Sequence, residues 1–166
     1  MEIDPDNPPA GLFVFRSHVA FDQLDMQGVL HHSRHLLHVE RAAQAFFELV
    51  TGACGFDPLR YPDLNAVVRR LSIDYLSPLF GVRPILVTLR VARLRSCAMD
   101  TAFELRSADG GTLFSRGLRE VCRVSPGSLR PTLWSDAYME SFAQWQCAAV
   151  LLDSSLRRIG GPALPA

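Results

Sequence analysis

The chain has 166 residues, 48% of them hydrophobic and 20% charged, which suits one soluble domain with a core of its own. Its 17 basic and 17 acidic residues cancel, so no net field draws nucleic acid or an anionic membrane, and no apolar run is long enough to cross a bilayer. All the cationic side chains other than histidine are arginine, which excludes Schiff-base chemistry on a lysine.

Residues 1–10 are acidic and proline-rich and read as a flexible arm. This is the reverse of a basic signal-peptide start, so a cytoplasmic location is expected. From Leu12 to Phe21 an apolar, β-favouring run predicts a first strand. Asp22 to Ser33 is polar with Gly28 in its middle, a loop. Ser33 is placed to cap a helix running to about Val50, with Gly52 as its stop. Leu36, Leu37, Val39, Ala42, Phe46, Phe47 and Leu49 occupy more than one face of that helix. A helix apolar on most sides is a buried one, so other elements must wrap it.

After a loop with Pro58 and Pro62, alternation predicts strands around 71–75, 87–91, 99–106 and 113–124. Asp109-Gly110-Gly111 marks a hairpin between the last two. Four consecutive strands with short connections predict an antiparallel meander. The fold class is therefore α+β: an antiparallel five-stranded sheet wrapped around a long central helix, over residues 11–130. Residues 131–166 form a C-terminal extension, helical from Ser135 to about Arg158 by its periodicity. Cys54, Cys97, Cys122 and Cys147 form no CxxC pair, so a zinc site is unsupported and each is expected to be a small buried hydrophobe.

That element order, with the text of residues 19–42, resembles the hotdog-fold thioesterases, specifically the 4-hydroxybenzoyl-CoA thioesterase and Tol–Pal-associated acyl-CoA thioesterase families. Their first loop reads Asp-Thr-Asp-x-x-Gly-x-Val, and this chain has Gln23-Leu24-Asp25-Met26-Gln27-Gly28-Val29-Leu30, then His31-His32-Ser33-Arg34-His35. Val39-Glu40-Arg41-Ala42 is similar to the family's Phe-Glu-Arg-Ala, and Tyr75-Leu76-Ser77-Pro78 to its Tyr-x-x-Pro strand ending. Gln23 and Leu24 depart from the motif, and His31 stands where an aromatic is usual. The resemblance implies a hotdog fold, hydrolysis of an acyl-CoA or aroyl-CoA thioester, no metal and no organic cofactor. It places the catalytic carboxylate on Asp25 and the oxyanion contact on the backbone amide of His32.

Thioester hydrolysis needs a carboxylate beside the carbonyl carbon and donors aimed at the developing oxyanion. A helix N-terminus supplies unpaired N–H groups and partial positive charge. Asp25 stands a few residues before one; the plainer reading of it is a loop aspartate in an Asx-turn. Glu40, inside the apolar helix, is the second catalytic candidate, because another branch of the hotdog thioesterases uses a helix glutamate; the alternative is a structural ion pair. His31, His35 and His38 share helical spacing and raise a metal site, but no neighbouring Cys or carboxylate completes a set. Gly28, His31, His35 and Tyr75 are therefore assigned to the substrate site. Among the strand arginines, Arg69 and Arg93 are the candidates for the CoA phosphates.

A curled sheet leaves edges that invite pairing, and the resemblance implies a homodimer or homotetramer with sites at the subunit interface. The rival functions are a hotdog dehydratase, whose motif is missing, a hydrolase acting on an acyl-carrier thioester, and a non-catalytic protein that only binds acyl thioesters.

Overall fold

The computed structural model describes residues 3–53, 57 and 59–146. Its elements are β1 (Phe13–Val19), α1 (His32–Thr51), β2 (Ala66–Tyr75), β3 (Arg83–Leu94), β4 (Ala98–Ser107), β5 (Leu113–Arg123) and α2 (Asp136–Ala143), with single 3-10 turns at Phe21–Gln23 and Pro62–Leu64. The first strand ends before Phe21, which is 82% exposed. All five strands join one sheet in the order β1-β3-β4-β5-β2, and every pairing is antiparallel. This is the hotdog fold.

The expected four-strand meander is only three strands long. β3, β4 and β5 follow one another as hairpins, whereas β2 lies outside β5 at the far edge. Alternation in the sequence marks a strand but does not name its partner, and the Pro78–Val82 connection carries the chain across the sheet instead of folding it back. The last hairpin turns at Gly110, with φ +76°. A β-carbon there would lie 2.2 Å from the Ile3 carbonyl oxygen, so the position is closed to side chains by space as well as by backbone. The same contact shows that the opening residues lie against the sheet: Ile3 is only 2% exposed, and Asp6 pairs with Arg16 of β1.

α1 crosses one face of the sheet. Val39, Ala42 and Phe46 meet Ile85, Val87, Leu89, Val91, Phe103 and Leu105 in one core. The helix is buried on that side only. Glu40, Arg41 and Gln44 are exposed, and Leu49 is 61% exposed, so this chain alone does not enclose the helix its apolar content led us to expect. Gly52 ends it in the left-handed region, at φ +67°. Its start is two residues earlier than Ser33 suggested: His31 is the N-cap, and its Nδ1 accepts from the Ser33 amide.

Two buried histidines tie α1 across the sheet. His35 Nδ1 meets Ser115 Oγ of β5 at 3.0 Å, and His38 Nδ1 meets Ser17 Oγ of β1 at 2.8 Å. Those strands flank the central pair β3 and β4, so the two bonds hold the helix from both sides.

Gly117 on β5 shows how tightly the sheet is drawn. A β-carbon at that position would stand 2.0 Å from the Ser72 carbonyl oxygen and 2.4 Å from the Phe103 ring. Neither the ladder nor the fully buried Phe103 yields easily. Gly117→Ala is therefore expected to destabilise the fold by about 1–3 kcal/mol or more, read as a lowered urea midpoint; an unchanged midpoint would show that Phe103 has room to move.

The C-terminal segment begins as expected. Ser135 caps α2, its Oγ accepting from the Tyr138 amide, and Asp63 accepts from both the Ser135 amide (3.1 Å) and its hydroxyl (2.6 Å). Tyr138 and Phe142 are buried against α1, with Phe142 edge-on to Phe46. α2 ends at Ala143, short of the predicted length: Gln144 and Trp145 form a turn and Gln146 bridges Val91 of β3, while residues 147 onward lie outside the described residues, as do Cys54 and Cys147. Cys122 is buried, but Cys97 is only half-buried, being placed in the turn just before β4.

Candidate functional site

The loop before α1 folds into a small hairpin of its own. Leu24 bridges Leu30, the Asp25 amide donates to the Val29 carbonyl at 2.8 Å, and Gly28 turns the chain at φ +73°. The Asp25 carboxylate closes this turn from inside. Its Oδ1 accepts from the Gln27 amide (2.8 Å) and the Val29 amide (3.1 Å), an Asx-type arrangement. Oδ2 has no hydrogen bond among the described residues, and the residue is exposed. The two readings of Asp25 are thus compatible, since one oxygen builds the turn and the other is left over.

The hairpin is pinned at both ends. Leu30 donates to the Leu79 carbonyl, Gly81 to the Gly28 carbonyl, and His31 to the Gln23 carbonyl at 3.0 Å. Gln23, where the resemblance had an aspartate, is a buried structural residue whose Oε1 accepts from the Ala20 amide at 2.9 Å. Sequence reading saw the departure but had no signal for this role.

His31, His32, His35 and Tyr75 gather at the first turn of α1. The Tyr75 hydroxyl donates to the His32 carbonyl (2.9 Å), and its ring meets His35 edge-on at 5.0 Å. Burial pushes the Tyr75 phenol above its usual range. The His32 amide has no acceptor among the described residues, as expected of a first-turn N–H. His35 titrates at about 4, lowered mainly by burial and further by His32, against a smaller upward pull from the Leu30 carbonyl. It is neutral near pH 7. His38 lies deeper, on Ser17, and its Nε2 has no partner among the described residues. No cluster of three or more His, Cys, Asp or Glu among the described residues is arranged to hold a metal ion.

Glu40 is not at this turn. It lies two turns along α1, exposed, with both oxygens taken by Arg119 of β5, at 2.7 and 2.8 Å. The pair stands at the rim of a cavity of about 500 Å³. The lining of that cavity includes neither Asp25 nor the histidines.

Arg69 and Arg93 are not brought to Asp25 either. The loop joins the sheet where Val19 pairs with Arg83, and Arg93 lies ten residues further along β3, roughly 30 Å away at 3.3 Å per residue. Arg69 is bonded to Glu120, which also holds Arg95. Arg119 counted only as one of the strand arginines; its pairing with Glu40 is revealed by the topology, which lays β5 under α1.

The thioesterase superfamily matches residues 27–114, more than half of the chain. The chain belongs to that superfamily and is a thioester hydrolase of hotdog fold. No curated protein matches the sequence. Among solved structures, a hypothetical protein from Staphylococcus aureus in complex with CoA superposes with a TM-score of 0.76 at 16% identity, covering 92% of this chain and 97% of the other. A predicted thioesterase from Bacillus stearothermophilus gives 0.72 at 14% identity over 83% and 98%. A 1,4-dihydroxy-2-naphthoyl-CoA thioesterase from Synechocystis gives 0.69 at 13% identity over 80% and 96%. At these identities the likeness is one of fold.

Proposed function

We propose that the chain hydrolyses an acyl-CoA or aroyl-CoA thioester to the free acid and CoA, with Asp25 as nucleophile or general base. The observation that carries this is the division of labour within one carboxylate. Oδ1 is fixed by two amides while Oδ2 has no hydrogen bond among the described residues, so the reactive oxygen is held in place before substrate arrives. The unpaired amide of His32, at the positive end of α1, serves as oxyanion donor. Tyr75 and His35 position that first turn, and Gly28 and His31 border the place the thioester would occupy. No metal or organic cofactor takes part.

CoA is favoured as the thiol because one structural neighbour is a CoA thioesterase and another was solved with CoA. A dimer or tetramer fits β2, an edge strand on which Val67 and Val68 are 46% and 48% exposed. Arg69 and Arg93 enter this reading only if they serve the site of a second copy. A cytoplasmic location accords with the lack, among the described residues, of any helix long and apolar enough to cross a membrane.

A thiol-release assay over aromatic and aliphatic acyl-CoAs is the test. Turnover of at least one is expected. Activity only on carrier-protein thioesters would move the substrate class, and none on either would leave a binding protein. Glu40 is assigned to its ion pair, so Glu40→Gln is expected to lower turnover by less than about tenfold, against the roughly 10²-fold or greater loss that removing a catalytic carboxylate brings. A loss of that greater size would make Glu40 the catalytic group.

A further inference from the structure

The cavity beside α1 has no part in the chemistry just described, yet it lies on a line with it. His35 stands over Ser115 and Glu40 over Arg119, so α1 and β5 run side by side away from the first turn. On the neighbouring strand Tyr75, Ile73 and Leu71 pair in turn with Ser115, Gly117 and Arg119. Leu36, Leu71 and Ile73 are half-buried against the core, so the strip between the first turn and Arg119 is apolar. Four residues of strand make it about 13 Å long.

At its end the Glu40–Arg119 pair spans from helix to sheet, and the cavity of about 500 Å³ opens beyond. Its walls are Leu37, Ala43, Phe47, Leu89 and Val121, with the turn residue Leu64 opposite. α2 closes the far end with Tyr138 and Phe142. The volume is in the range that takes drug-sized apolar ligands. Arg119, Val121, Tyr138 and Phe142 of this lining lie beyond residue 114, where the family match ends.

We infer that the cavity receives the distal part of a long aliphatic acyl chain, that the Glu40–Arg119 pair marks its entrance, and that α2 sets the longest chain accepted. The inference rests on the proposed reaction at the first turn, because that reaction fixes where the acyl chain begins. Reaching the entrance from there takes on the order of ten carbon atoms, given C–C bonds near 1.5 Å. Shorter acyl groups stop on the strip and gain nothing from the cavity. Longer ones bury their terminal methylenes, each tightening binding by about fourfold at most.

The test is chain-length selectivity together with direct binding. Acyl-CoAs from butyryl to hexadecanoyl are compared for kcat/KM, and binding of free dodecanoate is followed by calorimetry, in the wild type, Ala43→Phe and Leu64→Trp. Both substitutions fill the cavity, from the helix wall and from the opposite one, and near-ultraviolet circular dichroism identifies any variant that fails to fold. The wild type is expected to prefer dodecanoyl-CoA and longer substrates and to bind dodecanoate. Either folded variant is expected to lower the dodecanoyl-to-butyryl ratio at least tenfold and to weaken dodecanoate binding.

A wild type without length preference, or variants that lower all lengths equally, would overturn the inference. So would an unchanged ratio accompanied by altered sedimentation, which would make the cavity a contact between copies of this chain. Binding of dodecanoate that both variants abolish, without hydrolysis of any thioester, would refute the proposed reaction and leave the tail site standing.

Discussion

Asp25→Asn is expected to lower turnover by roughly 10²–10⁴-fold, equivalent to about 3–5 kcal/mol of transition-state stabilisation. The substitution separates the two functions of the side chain. An amide oxygen in place of Oδ1 still accepts from Gln27 and Val29, so the Leu24–Leu30 hairpin is expected to persist. What disappears is the charge, and with it both the nucleophile and the base. Asp25→Ala, by contrast, removes the turn's acceptor as well and is expected to weaken substrate binding in addition. The decisive comparison is kcat and KM for both variants beside urea unfolding curves. A wild-type rate in Asp25→Asn would end the assignment of catalysis to this residue and favour a protein that binds thioesters without cleaving them.

Acid is expected to destabilise the fold well before its carboxylates are fully protonated, through His35 and His38. Both titrate at about 4, lowered first by burial and then by cationic neighbours: His32 for the former, Arg41, His35 and His18 for the latter. Above pH 6.5 each ring is neutral whether the chain is folded or not, and contributes no pH dependence. Between 6.5 and 4 the unfolded chain binds protons that the folded chain refuses, so stability falls as pH falls, by about 1.4 kcal/mol per pH unit for each histidine. The structure gives the reason for the refusal. His38 is fully buried with Nδ1 on Ser17 and no partner for Nε2 among the described residues, so a protonated ring would hold a charge and an unpaired donor in the core. Urea midpoints of the wild type and of a His35→Gln, His38→Gln variant, measured from pH 7.5 to 4.5, isolate the effect. The wild type is expected to lose stability more steeply than the variant over that range. Parallel slopes would show that the two rings take up protons in the folded state.

Much of the architecture was readable because its causes are local. Alternation marked β3, β4 and β5, Asp109-Gly110-Gly111 marked their last turn, and Gly52 marked the end of α1. The place of β2 was not readable, because its pairing with β5 is set by packing between distant segments. The burial of α1 was overread for a related reason: apolar content says that a face seeks cover, while only the assembled sheet says which face finds it. In the site, the Asp25–Gly28 turn and the first turn of α1 followed from short-range motifs. The binding of Glu40 to Arg119 did not, since the two are 79 residues apart. Gln23 stood out only as a departure from the motif and is a buried brace of the loop, a role visible only in its bonds to Ala20 and His31.

The outlying position of β2 also orders events in time. Its ladder joins residues from Tyr75 with Ser115 to Ala66 with Arg123, closing far longer loops than the β3–β4 and β4–β5 hairpins, and loop closure of that kind slows folding. On a ribosome β2 emerges before the strand it needs, with Val67 and Val68 unpaired. The segment that offers an edge to other chains in the finished protein is therefore also left without a partner during synthesis until β3, β4 and β5 have followed it. Protection against premature association falls to the speed with which β5 arrives.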